Sequence, residues 1–234
     1  MVFRVVFLAF MVAGAAGCVK TGSGSTTTNN NISFVTLMNM APYSPSTEVY
    51  FNGIKQTSAI SAGSYTSNYG QIPAGAYDIQ FKVAGSDSIL SEIPSSTYDS
   101  LNFYTLILYN TAGGGQTRSL KINDDFSTLS SSSANYRFFN LSPDVPAVDL
   151  YLNSATAEHG RTPADNASYG LYNIFQPLTP GVYTIQAKKA GTDSVIASAT
   201  SISLLAGSPY TIFLQGTSQS TANPISLKVL LASY

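Results

Sequence analysis

The most constraining feature of this sequence is an internal repeat, because one ordered series of short motifs occurs twice. The matching segments, first copy before second, are Met40–Pro42 and Leu141–Pro143, Glu48–Asn52 and Asp149–Asn153, Ala74–Gln80 and Pro180–Gln186, Ala84–Ile89 and Ala190–Val195, Tyr104–Leu108 and Tyr210–Leu214, and Ser119–Lys121 and Ser226–Lys228. Each copy spans about 100 residues, the common size of a single domain. A repeat of this length predicts two tandem domains rather than a solenoid of short units.

Both copies show strand periodicity, and neither sustains a helical period. In the first copy the predicted strands are Ile32–Asn39, Thr47–Asn52, Ala76–Val83, Phe103–Tyr109 and Arg118–Ile122. Apolar and polar residues alternate in the third of these, as expected for a strand with one buried face. About six to eight short strands per copy predict an all-β fold of two tandem β-sandwiches, either immunoglobulin-like or transthyretin-like. The predicted boundaries are 32–128 for repeat 1, 129–134 for a Ser-rich linker and 135–234 for repeat 2.

Residues 1–17 have the pattern of a lipoprotein signal peptide. Arg4 precedes an apolar run that is too short to cross a membrane as a helix, which takes about 20 residues. The run ends in Ala15–Cys18, which resembles a lipobox, so Cys18 is the predicted lipidation site. Ordinary secretion with cleavage after Ala15 is the alternative, and it would leave an unpaired thiol in an exported protein.

Residues 18–31 predict an acylated, flexible tether, because Gly, Ser, Thr and Asn dominate them and offer little to bury. A lipid on Cys18 would make the membrane a partner and would hold the protein in the cell envelope, most simply at the outer membrane. The tether carries one charge, Lys20, so the sequence leaves open the periplasmic or the surface face.

Three segments resemble a bacterial family of extracytoplasmic domains, domain of unknown function 4397. They are Leu141–Asn153, Pro180–Tyr183 with its counterpart Pro73–Tyr77, and Ala206–Thr211. Asn39 and Asn140 stand where family members often carry a histidine. The resemblance covers both copies and implies an envelope β-sandwich that often occurs in tandem. It implies no activity, since the family has no established one.

Low charge narrows the possible functions. Only 10% of residues are charged and the net charge is −1, which argues against nucleic-acid binding because that needs a concentrated basic surface. One His, one Cys and no Trp leave too few groups for a zinc site or most catalytic constellations, and no cofactor or metal is predicted. The few charges are expected in turns and on solvent-facing strand positions.

Two sets of residues are candidates for surface functions. Tyr50 and Tyr151 occupy equivalent positions beside Glu48 and Asp149, and an exposed Tyr with a carboxylate can bind a carbohydrate or a peptide. A structural role, with each Tyr covering a neighbouring strand, is the alternative. Ser88, Ser100 and Ser194 lie in Asp-Ser-aliphatic triplets, which resemble acceptors for O-glycosylation in some bacterial envelopes. Turn formation explains the same residues equally simply.

Weaker candidates are an acid–base role for His159 beside Glu158, and calcium binding by Asp124 and Asp125 or by Asp144 and Asp149. A solvated histidine and turn-capping carboxylates are the simpler interpretations.

The sequence therefore predicts a non-catalytic, lipid-anchored envelope protein that acts in binding, adhesion or assembly, with an envelope protein or a glycan as its unknown partner. The alternative is a carbohydrate-binding accessory lipoprotein of a glycan-uptake system. A hydrolase is disfavoured, because no motif places a nucleophile, a base or paired carboxylates.

Overall fold

The computed structural model describes residues 31–232, which form two β-sandwiches in tandem. The first contains β1 (Ile32–Met40), β2 (Thr47–Phe51), β3 (Ile54–Lys55), β4 (Ser64–Tyr65), β5 (Gly70–Pro73), β6 (Gly75–Val83), β7 (Ile89–Tyr98), β8 (Phe103–Asn110) and β9 (Thr117–Asp124). The second contains β10 (Ala134–Asn140), β11 (Val148–Leu152), β12 (Ala155–Arg161), β13 (Gln176–Leu178), β14 (Gly181–Lys189), β15 (Val195–Leu204), β16 (Pro209–Gln215) and β17 (Ser226–Leu231). Short 3-10 helices occupy Ala112–Gly114 and Pro163–Leu171. The predicted all-β tandem fold is confirmed.

Strand order separates the two predicted sandwich types. In the first sandwich one sheet has the order β4-β1-β8-β9, with β5 also paired to β1, and the other has the order β3-β2-β6-β7. The second sandwich repeats this plan as β13-β10-β16-β17 and β12-β11-β14-β15. An immunoglobulin constant-type sandwich pairs its second strand with its first and places the third in the opposite sheet. Here β2 pairs with β3 and lies opposite β1, so the transthyretin-like alternative is the one that fits.

Each sandwich buries its own apolar core between its two sheets. In the first, Val49, Ile79 and Phe81 from one sheet meet Leu106 and Leu108 from the other, and all five are at most 1% exposed. In the second, the core is made by the matching residues of the repeat, as the shared motifs require. The period-two alternation read from the sequence of β6 therefore marks the buried face correctly.

A third apolar cluster, the interdomain core, joins the two sandwiches. It contains Met38, Met40, Ile107, Tyr109, Leu120 and Ile122 from the first copy and Phe139, Leu141 and Phe213 from the second. The central strands β10 and β16 are buried along their whole length, because one face packs on the sandwich core and the other on the interdomain core. The two copies are therefore packed against each other rather than held only by the intervening chain.

One ion pair is buried at this interface. The guanidinium Nη1 of Arg137 on β10 lies 2.6 Å from Oδ1 of Asp124 on β9, and the side chains are 1% and 0% exposed. Oδ2 of Asp124 accepts hydrogen bonds from the hydroxyls of Thr105 (2.6 Å) and Tyr69 (2.7 Å), and Arg137 Nε donates to the Thr211 hydroxyl at 2.9 Å. The expectation that charges lie in turns and on solvent faces is wrong for this pair.

The last motif pair of the repeat is displaced by one residue in the structure. Leu120 pairs with Ile107 and faces the interdomain core, whereas Leu227 pairs with Leu214 and faces the core of its own sandwich. Since neighbouring residues of a strand point to opposite faces, a shift of one residue exchanges the two environments. The sequence match of Ser119–Lys121 with Ser226–Lys228 is therefore not the structural one.

The segment predicted as a Ser-rich linker is hydrogen-bonded to the second sandwich. Asn135 Nδ2 donates to the backbone oxygens of Ser130 and Ser133, and its Oδ1 accepts the Ser130 N–H at 3.0 Å. The Gly207 N–H donates to the Ser133 carbonyl at 2.8 Å. Ala134, the last residue of the predicted linker, begins β10.

Candidate functional site

Asp149, a sequence candidate for surface binding, secures the edge strand β12 and the β14–β15 turn of the second sandwich. Its Oδ2 accepts the Gly191 N–H at 2.9 Å and its Oδ1 accepts the Gly160 N–H at 2.8 Å. These bonds, the one from Gly191 foremost, hold the pKa of Asp149 below its ordinary value of 3.8. The side chain is 10% exposed, so Asp149 lies in the fold rather than on an open surface.

Glu48 performs the equivalent task in the first sandwich. It binds the Lys55 ammonium at 2.6 Å and accepts a hydrogen bond from the backbone of Gly85, and these bonds, that from Lys55 foremost, lower its pKa. Gly85 and Gly191 sit in equivalent hairpin turns with φ of +73° and +70°, a conformation that favours glycine. The repeated acidic residue and the repeated Ala-Gly motif are therefore two halves of one structural contact.

Tyr50 and Tyr151 each lie under a lysine of the neighbouring strand. The Lys82 ammonium is 4.5 Å from the centroid of the Tyr50 ring, and the Lys188 ammonium is 4.2 Å from that of Tyr151. Lys188 also reaches Asp193 of the hairpin turn at 3.3 Å. Both rings are half-buried, and one face of each is covered by a cation–π contact. Each ring thus has one face covered by a lysine, and a binding role for Tyr50 and Tyr151 stays a prediction.

The three candidate acceptors of O-glycosylation all lie in exposed turns. Ser88 and Ser194 occupy the equivalent β6–β7 and β14–β15 turns, and Ser100 lies between β7 and β8. In the first two turns the preceding hydroxyl residue closes the turn, since Ser86 Oγ accepts the Ser88 N–H and Thr192 Oγ1 accepts the Ser194 N–H. All three serines are accessible to solvent, and their modification stays a prediction.

The carboxylates considered for calcium have structural partners. Asp144 Oδ2 accepts hydrogen bonds from the Thr217 hydroxyl at 2.8 Å and the Ser218 N–H at 2.9 Å, which joins two loops of the second sandwich. Asp125 Oδ1 accepts the Ser127 N–H at 2.8 Å within a turn. Between residues 31 and 232 no group of three or more His, Cys, Asp or Glu side chains is placed to hold a metal ion.

His159 lies on the edge strand β12, and its side chain is 79% exposed. Its Nδ1 is 4.0 Å from Asp149 Oδ1, a distance that gives a weak ion pair when the imidazole is protonated. The other partners of Asp149 are the backbone N–H groups of Gly160 and Gly191, so this contact brings no nucleophile to His159. Cys18 and the signal segment 1–17 fall outside the described residues, as does the tether before Asn31.

Both sandwiches open into a cleft on the side where their short edge strands lie. In the first sandwich the cleft has a volume of about 220 Å³ and lies between β1, β5 and the chain that follows β3. Val35, Leu37, Phe51 and Ile72 form its apolar floor. Residues in equivalent strands line the second cleft, so the two openings are related by the repeat.

The cleft of the second sandwich is larger, about 410 Å³, and more polar. Its lining residues are Tyr136, Ala157, Glu158, Arg161, Leu171, Tyr172, Ile174, Gln176 and Pro177. They come from β10, β12, β13 and the segment 162–175, which includes the longer 3-10 helix. Most extra residues of the second copy fall in this region, and this was the sequence signal that could have located the cleft.

Arg161 forms the base of this second cleft. Its guanidinium donates to Glu158 at 3.0 Å, to Asp165 at 3.1 Å and to the Phe138 carbonyl at 3.0 Å, and it stacks 4.0 Å above the Tyr172 ring. Burial tends to raise the pKa of Asp165, but hydrogen bonds from Thr162 and Arg161 hold it below the ordinary value. Each of the three guanidinium nitrogens thus donates to a protein oxygen.

Tyr136 lies beside this group as a neutral hydrogen-bond donor. Burial, aided by the charge of Glu158, raises the pKa of Tyr136 to about 12. Its hydroxyl donates to the Ala157 carbonyl at 3.3 Å. The chemistry that the second cleft offers is therefore hydrogen bonding around an arginine that is paired with two carboxylates.

No helix within the described residues is long and apolar enough to cross a membrane.

No curated protein matches the sequence significantly. A family model for a domain of unknown function, DUF4397, matches residues 33–151 and again residues 134–231. The two matches overlap over 134–151, which include β10 and most of β11, so the first match runs through the junction into the second sandwich. Together they cover most of the chain, and the chain belongs to the DUF4397 family.

Proposed function

We propose that this chain is a non-catalytic, lipid-anchored protein of the cell envelope that acts in binding, adhesion or assembly. The observation that carries the proposal is the use of its acidic residues. Asp124 forms an ion pair that joins the two sandwiches, whereas Asp144 and Asp149 accept hydrogen bonds that hold loops and turns of the second sandwich. Carboxylates committed to such contacts are poor general acids or bases, because catalysis needs a group free to exchange a proton with substrate.

The packing of the two sandwiches gives the proposal a mechanical basis. The interdomain core and the Arg137–Asp124 pair fix one copy against the other, so their surfaces keep a constant relative position. A rigid body of this kind presents a preorganised surface, and preorganisation lowers the entropic cost of binding. The proposed lipid on Cys18 would hold that body at the membrane through residues 19–31.

Membrane fractionation in the native host tests the anchor. Wild-type protein is expected in the membrane fraction and the Cys18→Ser variant in the soluble envelope fraction, because the acyl chains provide the membrane affinity. The variant keeps the side-chain size and the whole described fold. Equal membrane retention of both proteins would rule out the lipid anchor.

Crosslinking in cells followed by affinity purification and mass spectrometry tests the binding role. A reproducible envelope protein or glycan attached to the wild-type protein is the expected result. Purified protein is then incubated with generic esterase and glycosidase substrates. Turnover above that of a heat-denatured sample would contradict the non-catalytic assignment.

A further inference from the structure

The second cleft combines a volume suited to a ligand with a lining that differs from its repeat equivalent. Sites for small ligands commonly occupy about 300–1,000 Å³. The second cleft, at about 410 Å³, falls in this range, whereas the first, at about 220 Å³, does not. Two copies of one fold thus differ at a place where both sandwiches open.

The charges at the base of the second cleft select against an ionic ligand. Arg161 binds the carboxylates of Glu158 and Asp165 at 3.0 and 3.1 Å, and its Nη2 donates to the Phe138 carbonyl. An anion would have to approach two carboxylates, and a cation would have to compete with the guanidinium that both carboxylates hold. Displacing either carboxylate would cost an ion pair of Arg161, whose side chain is only 6% exposed, and loss of a buried charge's partner is costly.

The same lining suits a neutral ligand with many hydroxyl groups. Glu158 accepts hydrogen bonds, and Gln176 both donates and accepts them. Two large aliphatic side chains stand exposed at the rim, Leu171 at 74% and Ile174 at 59%. Polar lining groups beside aliphatic rim groups match the two kinds of surface of a sugar ring, whose hydroxyls lie around its perimeter and whose C–H groups form an apolar patch.

We propose that the cleft between β12, β13 and the segment 162–175 is a binding site for a neutral saccharide. This inference rests on the proposed binding function and assigns it a ligand class and a location. The site differs from the tyrosine face of the sequence analysis, because there Lys82 and Lys188 cover the rings. No covalent step is involved.

The test begins with a glycan array probed with the full chain in detergent, followed by calorimetry with the best neutral glycan. Gln176→Ala removes a polar group of the lining, and Leu171→Asp places a charge at the rim. Each is expected to weaken binding about tenfold, as the loss of about one hydrogen bond or one apolar contact predicts. Both residues are exposed, so their melting temperatures should match that of the wild-type protein.

The matched control is Gln71→Ala, which changes a lining residue of the first cleft and should leave the affinity unchanged. Three results would overturn the saccharide site. They are silence across the neutral glycans, equal affinity in the cleft variants and the wild-type protein, and loss of binding by Gln71→Ala alone. A protein partner recovered by crosslinking together with a silent array would overturn this inference while leaving the proposed binding function standing.

Discussion

Removing one member of the buried Arg137–Asp124 pair should destabilise the whole molecule. Arg137→Met leaves the Asp124 carboxylate with only two neutral donors, the hydroxyls of Thr105 and Tyr69. Asp124→Leu leaves a guanidinium that is 1% exposed without its counter-ion. In both variants a buried charge loses the partner that compensates its desolvation.

The expected cost is large for each single variant and small for the double variant. Breaking a buried pair from one side costs about 3–5 kcal/mol, whereas replacing both members with apolar residues of similar volume is often nearly neutral. For a protein of this size about 1 kcal/mol shifts the melting temperature by 2–4 °C, so each single variant should melt about 6–20 °C lower. The double variant Asp124→Leu/Arg137→Met should lose much less free energy of unfolding than the sum of the two single losses. This difference is the coupling free energy of the pair, and it should be large.

Urea denaturation measures these free energies, with tyrosine fluorescence and circular dichroism as probes because the chain has no tryptophan. Asp193→Asn is the control, since it removes the fully exposed partner of Lys188, keeps the contact of Lys188 with Tyr151 and should leave stability unchanged within error. Single losses below about 1 kcal/mol, or a double variant as unstable as the sum of the singles, would refute the reasoning.

Two further predictions concern the interface and the turns. Phe139→Ala opens a cavity in the interdomain core and should cost about 3–5 kcal/mol by urea denaturation; a loss near zero would mean that the two sandwiches are not packed as described. Asp149 has a pKa lowered chiefly by the Gly191 N–H, so the stability it supplies is present above the ordinary value of 3.8 and is lost as the pH falls through the lower folded value. Asp149→Asn should therefore lower the melting temperature at neutral pH and make the melting temperature fall less steeply as the pH decreases. If the melting temperature of the variant falls as steeply as that of the wild-type protein, other groups control acid unfolding.

The sequence was sufficient to predict the fold class because apolar and polar residues alternate in strands of the sheets that lie away from the interdomain core, such as β6. On β6, Ile79 and Phe81 are buried while Gln80 and Lys82 lie on the other face, as period two requires. The predicted strands Ile32–Asn39 and Phe103–Tyr109 match β1 and β8 within one residue at each end. The long edge strand β7 was missed, because Glu92 and Pro94 interrupt its pattern.

Packing between the copies was harder to predict because it depends on contacts distant in the sequence. The nearly continuous apolar runs of β8 and β16 are the available signal, since a strand buried on both faces loses its alternation. Arg137 occupies the position of Thr36 in the first copy, and no local pattern showed that Asp124 of the preceding strand would reach it. The second cleft escaped prediction for a related reason, as its walls come from β10 and from the distant stretch that runs from β12 through the segment 162–175 to β13.

The position of β1 has a consequence for the protein under tension. β1 is an interior strand, paired with β5 from Ile32 onward and with β8 in parallel from Phe34 to Met40. If Cys18 carries the lipid, a pull from the membrane enters the fold at Ile32 and acts along this strand. The hydrogen bonds on both sides of β1 are then loaded in shear by this pull and must break together. Resistance to such forced unfolding is set by the unfolding rate rather than by equilibrium stability. The central placement of the first strand would thus make the attachment point a mechanically strong part of the molecule.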